Sequence, residues 1–172
     1  MNKEPVKFLK DYIDYLPHKG RVLDIAMGEG RNAIFLSEAG FRVDGVEISE
    51  DSIRKALAEA ERRKLKINVF RCDLEKNEFN PPDESYDAII CFYYLQRSLF
   101  QRIKKWLKKG GMLMYQTFTV ENLKYQGRPR NPEHVLKENE LLKSFLEFRI
   151  HFYRECVLNG ETAVASLIAE KF

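Results

Sequence analysis

Cysteine is scarce in this chain of 172 residues. Cys72, Cys91 and Cys156 are odd in number, far apart and without metal-ligand spacing, so no metal site is expected. Cys91 and Cys156 lie in apolar strand-like runs and are expected as buried free thiols. Long hydrophobic runs are missing too. None approaches the ~20 residues that cross a bilayer, so no membrane span is expected. Met1-Asn2-Lys3-Glu4-Pro5 leads into a charged amphipathic stretch rather than a continuous apolar segment, so no secretory leader is expected and the cytoplasm is the expected location. Nor does one sign of charge dominate: Lys and Arg number 29 against 26 Asp and Glu, a net charge of +3. The basic clusters Arg62-Arg63-Lys64 and Lys104-Lys105…Lys108-Lys109 fall at the C-terminal ends of predicted helices, where cations suit the helix dipole. This argues against a nucleic-acid partner. Internal repeats, low-complexity segments and linkers are absent, and the length suits one well-filled core, residues 1–172, better than two.

What is present is an alternation of strands and helices. Val6 to Leu16 reads as a helix with Val6, Leu9, Ile13 and Leu16 on one face, closed by Pro17, and residues 1–20 form a helical cap. Arg21 to Ala26 is a strand, Arg31 to Ala39 a helix stopped by Gly40, and Phe41 to Ile48 a second strand. Ser49 is a good N-cap for a helix to about Arg63. Ile67 to Cys72 is a third strand, and Tyr86 to Tyr93 is a nearly continuous apolar strand of the kind buried on both faces. Ser98 caps a helix to Leu107, Gly110-Gly111 turns the chain, and Met112 to Phe118 is a fifth strand. The order implies parallel strands with helical crossovers, hence an α/β, doubly wound sheet. The end breaks the rhythm. After a helix around Glu138 to Leu146, strands Phe148–Val157 and Thr162–Glu170 are joined through Asn159-Gly160, which supplies the two positive φ angles of a type I′ turn. A mostly parallel sheet therefore ends in an antiparallel hairpin.

The turn after the first strand, Asp24-Ile-Ala-Met-Gly28-Glu-Gly30-Arg-Asn-Ala33, lets backbone N–H groups approach a ligand closely. Glu47 ends the second strand nineteen residues after Gly28, where a carboxylate can accept from the two hydroxyls of an adenosine ribose. Asp73 follows the third strand on the same carboxyl edge, placed to receive an adenine amino group. Gly28-x-Gly30-x-x-Ala33 also satisfies the dinucleotide fingerprint, so an NAD(P)-binding oxidoreductase module is an open alternative. Three features favour S-adenosylmethionine instead. Asp24 can meet the amino group of a methionine moiety but would oppose a pyrophosphate; Asp73 adds a third acid at the edge; and the terminal hairpin fits no ordinary dehydrogenase domain. Each acid alone could equally cap a turn or end a strand in solvent; together on one edge they point to a ligand.

The segments Val22 to Ala33, Val43 to Ser49, Tyr86 to Ile90 and Leu107 to Gly111 resemble the class I S-adenosylmethionine-dependent methyltransferases. The glycine turn followed by Arg31-Asn32 resembles the tellurite-resistance methyltransferase group in particular. The resemblance spans about Arg21 to the terminal hairpin. It implies a seven-stranded, Rossmann-like sheet with an antiparallel last strand, and S-adenosylmethionine (S-adenosylhomocysteine as product) held by Asp24, Gly28, Gly30, Glu47 and Asp73. Ala26, Arg31, Asn32, Ile48, Leu74 and Cys91 complete the expected cofactor set. Met27 stands where many relatives carry a small residue, which leaves the backbone path of the turn open.

An acceptor should sit at the carboxyl ends of the fourth and fifth strands, since methyl transfer mainly requires the nucleophile to be held in line. The run Cys91-Phe92-Tyr93-Tyr94 is not the Asn/Asp-Pro-Pro-Tyr/Phe sequence that grips an amino group in many nucleic-acid and protein N-methyltransferases. Residues 120–137, with Tyr125, Arg128, Arg130 and His134, form a candidate substrate lid. Arg97, Arg128 and Arg130 are candidates for binding an anionic acceptor, the alternative being pairing with surface acids. Tyr93, Tyr94 and Tyr115 are candidate pocket residues, though tyrosines at strand ends commonly just pack. His18 and His134 have no acid partner in the sequence, so no general base is assigned. The expected reaction is methylation of a small soft or anionic molecule (oxyanion, thiol or carboxylate) by a monomer or homodimer. A non-catalytic S-adenosylmethionine-binding partner protein is the remaining alternative.

Overall fold

The alternating apolar runs form seven strands among the described residues, 4–125 and 127–172, of the computed structural model. Residues 1–3 and 126, which belong to the expected cap and lid, lie outside the described residues. The strands are β1 (Arg21–Ile25), β2 (Arg42–Glu47), β3 (Ile67–Arg71), β4 (Tyr86–Phe92), β5 (Leu107–Phe118), β6 (Arg149–Leu158) and β7 (Thr162–Glu170). They make one sheet in the order β3-β2-β1-β4-β5-β7-β6, parallel except for β7, which is antiparallel to β5 and to β6. The helices are α1 (Lys7–Tyr12), α2 (Arg31–Glu38), α3 (Glu50–Arg62), α4 (Leu99–Trp106) and α5 (Glu140–Ser144). The order reverses between β1 and β4, so the crevice of this α/β sheet opens at the carboxyl ends of those two strands.

Side-chain alternation along the strands builds two cores. Val22, Val43, Ala88, Ile90 and Met114 face one way and pack with Phe8 and Leu9 of α1, Ala33 and Leu36 of α2, and Ala56 and Ala60 of α3. Leu23, Ile25, Ile89, Leu113 and Tyr115 face the other way and pack with Leu99, Phe100 and Trp106 of α4 and Leu141 of α5. The central strands are buried on both sides, as their unbroken apolar sequence requires. Helix α3 starts where Ser49 accepts a hydrogen bond from the Ser52 N–H (3.2 Å), with Glu50 and Asp51 in the positive first turn. At the hairpin, Asn159 and Gly160 both take positive φ.

Several local expectations change. The first helix stops at Tyr12 and tightens into a 3-10 turn over Ile13–Tyr15, because Pro17 forces Leu16 into an extended conformation. Ser98 stands at the N-cap of α4 as expected, but its side chain makes no capping bond; its hydroxyl accepts from Gln96 Nε2 instead (2.8 Å). Gly110 and Gly111 do not end an element but lie within β5, opposite a register slip between Tyr86 and Ala88. Cys156 is only half-buried, since β6 is an edge strand with one face toward solvent. Among the described residues no helix is long and apolar enough to cross a membrane, and no cluster could hold a metal ion.

Away from the crevice, Asp44 on β2 carries a buried polar network. Its carboxylate accepts from Arg21 (Nε 3.0 Å, Nη2 2.7 Å), Tyr86 Oη (3.0 Å) and Asn68 Nδ2 (3.0 Å), drawing together β1, β4 and β3. Burial and the adjacent Asp44 charge push the Tyr86 phenol far above its usual range, so it remains the donor. Asp44→Ala leaves four donor groups on three residues without their acceptor and should lower unfolding stability by about 3 kcal/mol in urea titration. An unchanged midpoint would show that the network does not hold the sheet.

Candidate functional site

Ala26 and Tyr93 directly follow β1 and β4, the two strands at the reversal, and both are non-glycine residues with positive φ (+52° and +57°). Such conformations cost about 1–3 kcal/mol each and persist where surrounding contacts over-determine them. Here the Met27 N–H donates to Val46 O (3.0 Å) and the Tyr93 N–H to Gln116 O (2.8 Å). Met27 explains the departure noted in the turn. It is buried against β2, and a Cβ on Gly45 would lie 2.1 Å from its Sδ, so the missing side chain at Gly45 makes the room. Gly28 (φ +57°) faces open space, with nothing within 4 Å of where its Cβ would stand. The Gly28 turn is thus an open cradle of backbone.

Three acids line this edge in different states. Asp24, 1% exposed, has one oxygen with no hydrogen-bond partner among the described residues. Burial pushes its carboxyl up to about 8; the Arg31 charge and the Ala33 N–H oppose that shift, and Glu47 adds to it. Glu47 clamps two turns: one oxygen accepts from Gly28 N (2.9 Å), the other from Ile48 N (3.0 Å) and Ser49 N (2.9 Å). A carboxylate offers about four lone-pair sites, so capacity remains for a ligand. Asp73 accepts from Glu75 N (3.0 Å) in a local turn, with Lys76 3.5 Å from its other oxygen.

Ala26, Glu47, Ile48, Asp73 and Leu74 surround a cavity of about 330 Å³, joined by Cys72, Glu75 and Tyr94. Arg31, at the start of α2, lines a second cavity of about 640 Å³ with Tyr12, Tyr93 and Gln116. A third, of about 940 Å³, lies between Tyr93, Tyr94, Leu95 and Phe118 on one side and Arg128, Arg130 and His134 on the other, with Glu75 as its one carboxylate. Tyr94 walls both the cavity of about 330 Å³ and the cavity of about 940 Å³. Burial and nearby acids push its phenol up to about 12, and it donates to Gln96 Oε1 (2.8 Å). The loop carrying Arg128 and Arg130 is pinned at its base by Val120 N to Leu136 O and Leu136 N to Phe118 O, each 2.8 Å. No salt bridge to Arg128 forms among the described residues.

Four expected site residues are engaged elsewhere. Arg97 pairs with Glu140 (Nε to Oε1, 2.5 Å) and donates to Glu133 O and Val135 O, so it braces the loop outside the large cavity. Tyr115 is fully buried and donates to Tyr94 O (2.7 Å). Asn32 accepts from Val6 N (2.9 Å), tying the N-terminal segment to α2. Cys91 lies inside the sheet, its thiol pushed up to about 12 by burial and so kept protonated. Tyr94, an expected pocket residue, is a wall shared by two cavities, whereas Gln116 and Ser166 form a buried pair that was not expected. Polar residues interrupting apolar strands were the available signal.

The family profile described as a methyltransferase domain matches residues 22–111, just over half of the chain. A putative methyltransferase of Geobacillus sp. (strain WCH70) is 33% identical over 104 residues, 55% of this chain and 41% of that protein. The matched stretch thus spans less than half of that relative's length. Among solved structures, TehB from Haemophilus influenzae superposes with a TM-score of 0.78 at 22% identity, over 96% of this chain and 62% of that one. Geranyl diphosphate C-methyltransferase from Streptomyces coelicolor A3(2), solved with Mg2+, geranyl diphosphate and S-adenosyl-L-homocysteine, gives 0.74 at 15% identity, over 96% and 79%. At such identities the superpositions establish the fold.

The Asp24 carboxyl has a measurable signature. A carboxyl raised from 3.8 to about 8 keeps its proton in the folded chain while the unfolded chain releases it. The fold therefore binds more protons than the unfolded state between those values, and its stability falls as pH rises through that window. Asp24→Asn removes the dependence. The variant, free of ligand, should melt above the wild type at pH 7.5, and the gap should close below about pH 4. A pH-independent difference would contradict this account of Asp24.

Proposed function

The chain belongs to the methyltransferase-domain family, and on that premise we propose that it binds S-adenosylmethionine and methylates a small soft or anionic acceptor. The observation that carries this reading is the orphaned, buried oxygen of Asp24 beside the open Gly28 turn. A buried carboxyl with one unpartnered oxygen and a raised proton affinity suits a cationic ligand group, and the α-ammonium of the cofactor's methionine end supplies one. Arg31, at the positive end of α2, takes the neighbouring carboxylate. Glu47 accepts from a ribose hydroxyl at its remaining lone-pair site, while Ile48, Asp73 and Leu74 enclose the adenine in the cavity of about 330 Å³. A nicotinamide dinucleotide fits the same edge less well, because it brings no ammonium group to the unpartnered Asp24 oxygen.

When bound, S-adenosylmethionine supplies an activated methyl group: the acceptor's lone pair forms the new bond to carbon as the carbon–sulfur bond breaks and its electrons stay on sulfur. An anionic acceptor carries no proton to be removed, so this chain's residues need only hold and align it. Arg128 and Arg130 supply positive charge in the cavity of about 940 Å³, while Tyr93, Tyr94 and Phe118 supply a flat apolar wall. The segment 120–137 acts as the lid over that cavity.

Glu47→Ala should weaken S-adenosylhomocysteine binding about ten-fold or more in calorimetry, since hydrogen bonds to charged groups contribute about 1.5–3 kcal/mol. Unchanged affinity would remove Glu47 from the cofactor site. A screen of thiols, carboxylates and oxyanions, read by S-adenosylhomocysteine release, identifies the acceptor. With that acceptor, Arg128→Gln/Arg130→Gln should lower turnover and spare cofactor affinity; loss of cofactor affinity would move the arginines into the cofactor site.

A further inference from the structure

Tyr93 is the common wall of the cavities of about 640 and 940 Å³. On the reading above, it stands between the methionine end of the cofactor, marked by Arg31, and the acceptor. Its backbone is held at φ +57° immediately after β4, and its ring packs on Phe118 with centroids 5.1 Å apart. The side chain is thus placed at the crevice by a strained backbone and a packed ring.

Its hydroxyl is also oriented from behind. Ser166 on β7, fully buried, donates to Gln116 Oε1 (2.7 Å), and Gln116 Nε2 donates to Tyr93 Oη (3.1 Å). Gln116, on β5, is 2% exposed. Two polar side chains inside the β5–β7 pair must satisfy each other, which an apolar pair in the same space would not need to do. The series ends on the Tyr93 oxygen as an acceptor. The phenol proton therefore turns away from Gln116, and no described residue accepts it.

We propose that the Ser166–Gln116–Tyr93 series aims the Tyr93 hydroxyl at the acceptor, donating a hydrogen bond to its anionic atom and holding that atom in line for methylation. Tyr93 touches the acceptor; Gln116 and Ser166 are positioning residues. Glu75, the carboxylate at the cavity wall, does not compete for this proton, since no hydrogen bond joins it to Tyr93. The proposal rests on the anionic-acceptor reading and adds to it the group that recognises the reacting atom.

The test uses the full chain saturated with S-adenosylhomocysteine and titrated with 4-nitrophenolate, a coloured aromatic anion whose absorption moves to the blue when its oxygen accepts a hydrogen bond. The wild type should bind it with a blue shift. Tyr93→Phe, which keeps the ring on Phe118, should lose the shift and bind about ten-fold more weakly, with unchanged S-adenosylhomocysteine affinity. Gln116→Leu should weaken binding less, and the double variant should bind no worse than Tyr93→Phe alone, because the two residues act as a unit. Wild-type affinity and shift in Tyr93→Phe would overturn the proposal and leave the anionic-acceptor reading standing. Parallel loss of S-adenosylhomocysteine affinity would overturn it by placing Tyr93 in the cofactor site. No binding by the wild type would overturn the anionic-acceptor reading, and the proposal with it.

Discussion

A carboxyl group buried at the end of a central strand, with one oxygen unanswered, is the constraint on which the rest of the structure depends. Asp24 sits between Gly45 and Ile90 in the sheet register, under the start of α2, where water cannot solvate it. An apolar side chain there would give a more stable empty fold. On the proposed reading the acid becomes favourable when the cofactor's ammonium group arrives, so the empty fold holds in reserve part of the energy that recognises it. The residues near it leave the turn open. Met27 is folded away over Gly45, Gly28 presents bare backbone, and Glu47 fixes the turn without closing it.

The sheet separates this unfavourable edge from the part that provides rigidity. Around Asp44, a carboxylate with four donated hydrogen bonds joins β1, β3 and β4 away from the crevice. At the carboxyl ends, by contrast, the neighbouring strands β1 and β4 leave the sheet through left-handed Ala26 and Tyr93. The strain is affordable because the two cores and the Asp44 network over-determine the strand positions. Reversal of strand order opens the crevice, and the two strained residues shape its floor and wall.

Periodicity and turn chemistry revealed the strand and helix order, the Ser49 cap and the Asn159-Gly160 hairpin, because each follows from local preferences. The three acids on one edge were legible for the same reason: strand ends in a doubly wound sheet share an edge. What stayed hidden depends on partners distant in sequence. Arg97 looked like a ligand-binding cation until Glu140 took it, 43 residues on. Asn32 looked like part of the glycine motif, yet its partner is Val6. Gln116 and Ser166 are 50 residues apart, and only the antiparallel β5–β7 pairing puts them side by side. The positive φ of Ala26 and Tyr93 is likewise invisible in residue types that normally avoid it.

The most direct measurement is a parallel calorimetric titration of the purified chain with S-adenosylmethionine, S-adenosylhomocysteine and NADH. Both sulfur nucleosides should bind and NADH should not, because only the former bring an ammonium group to Asp24. Binding of NADH alone, or no binding of any of the three, would contradict this reading.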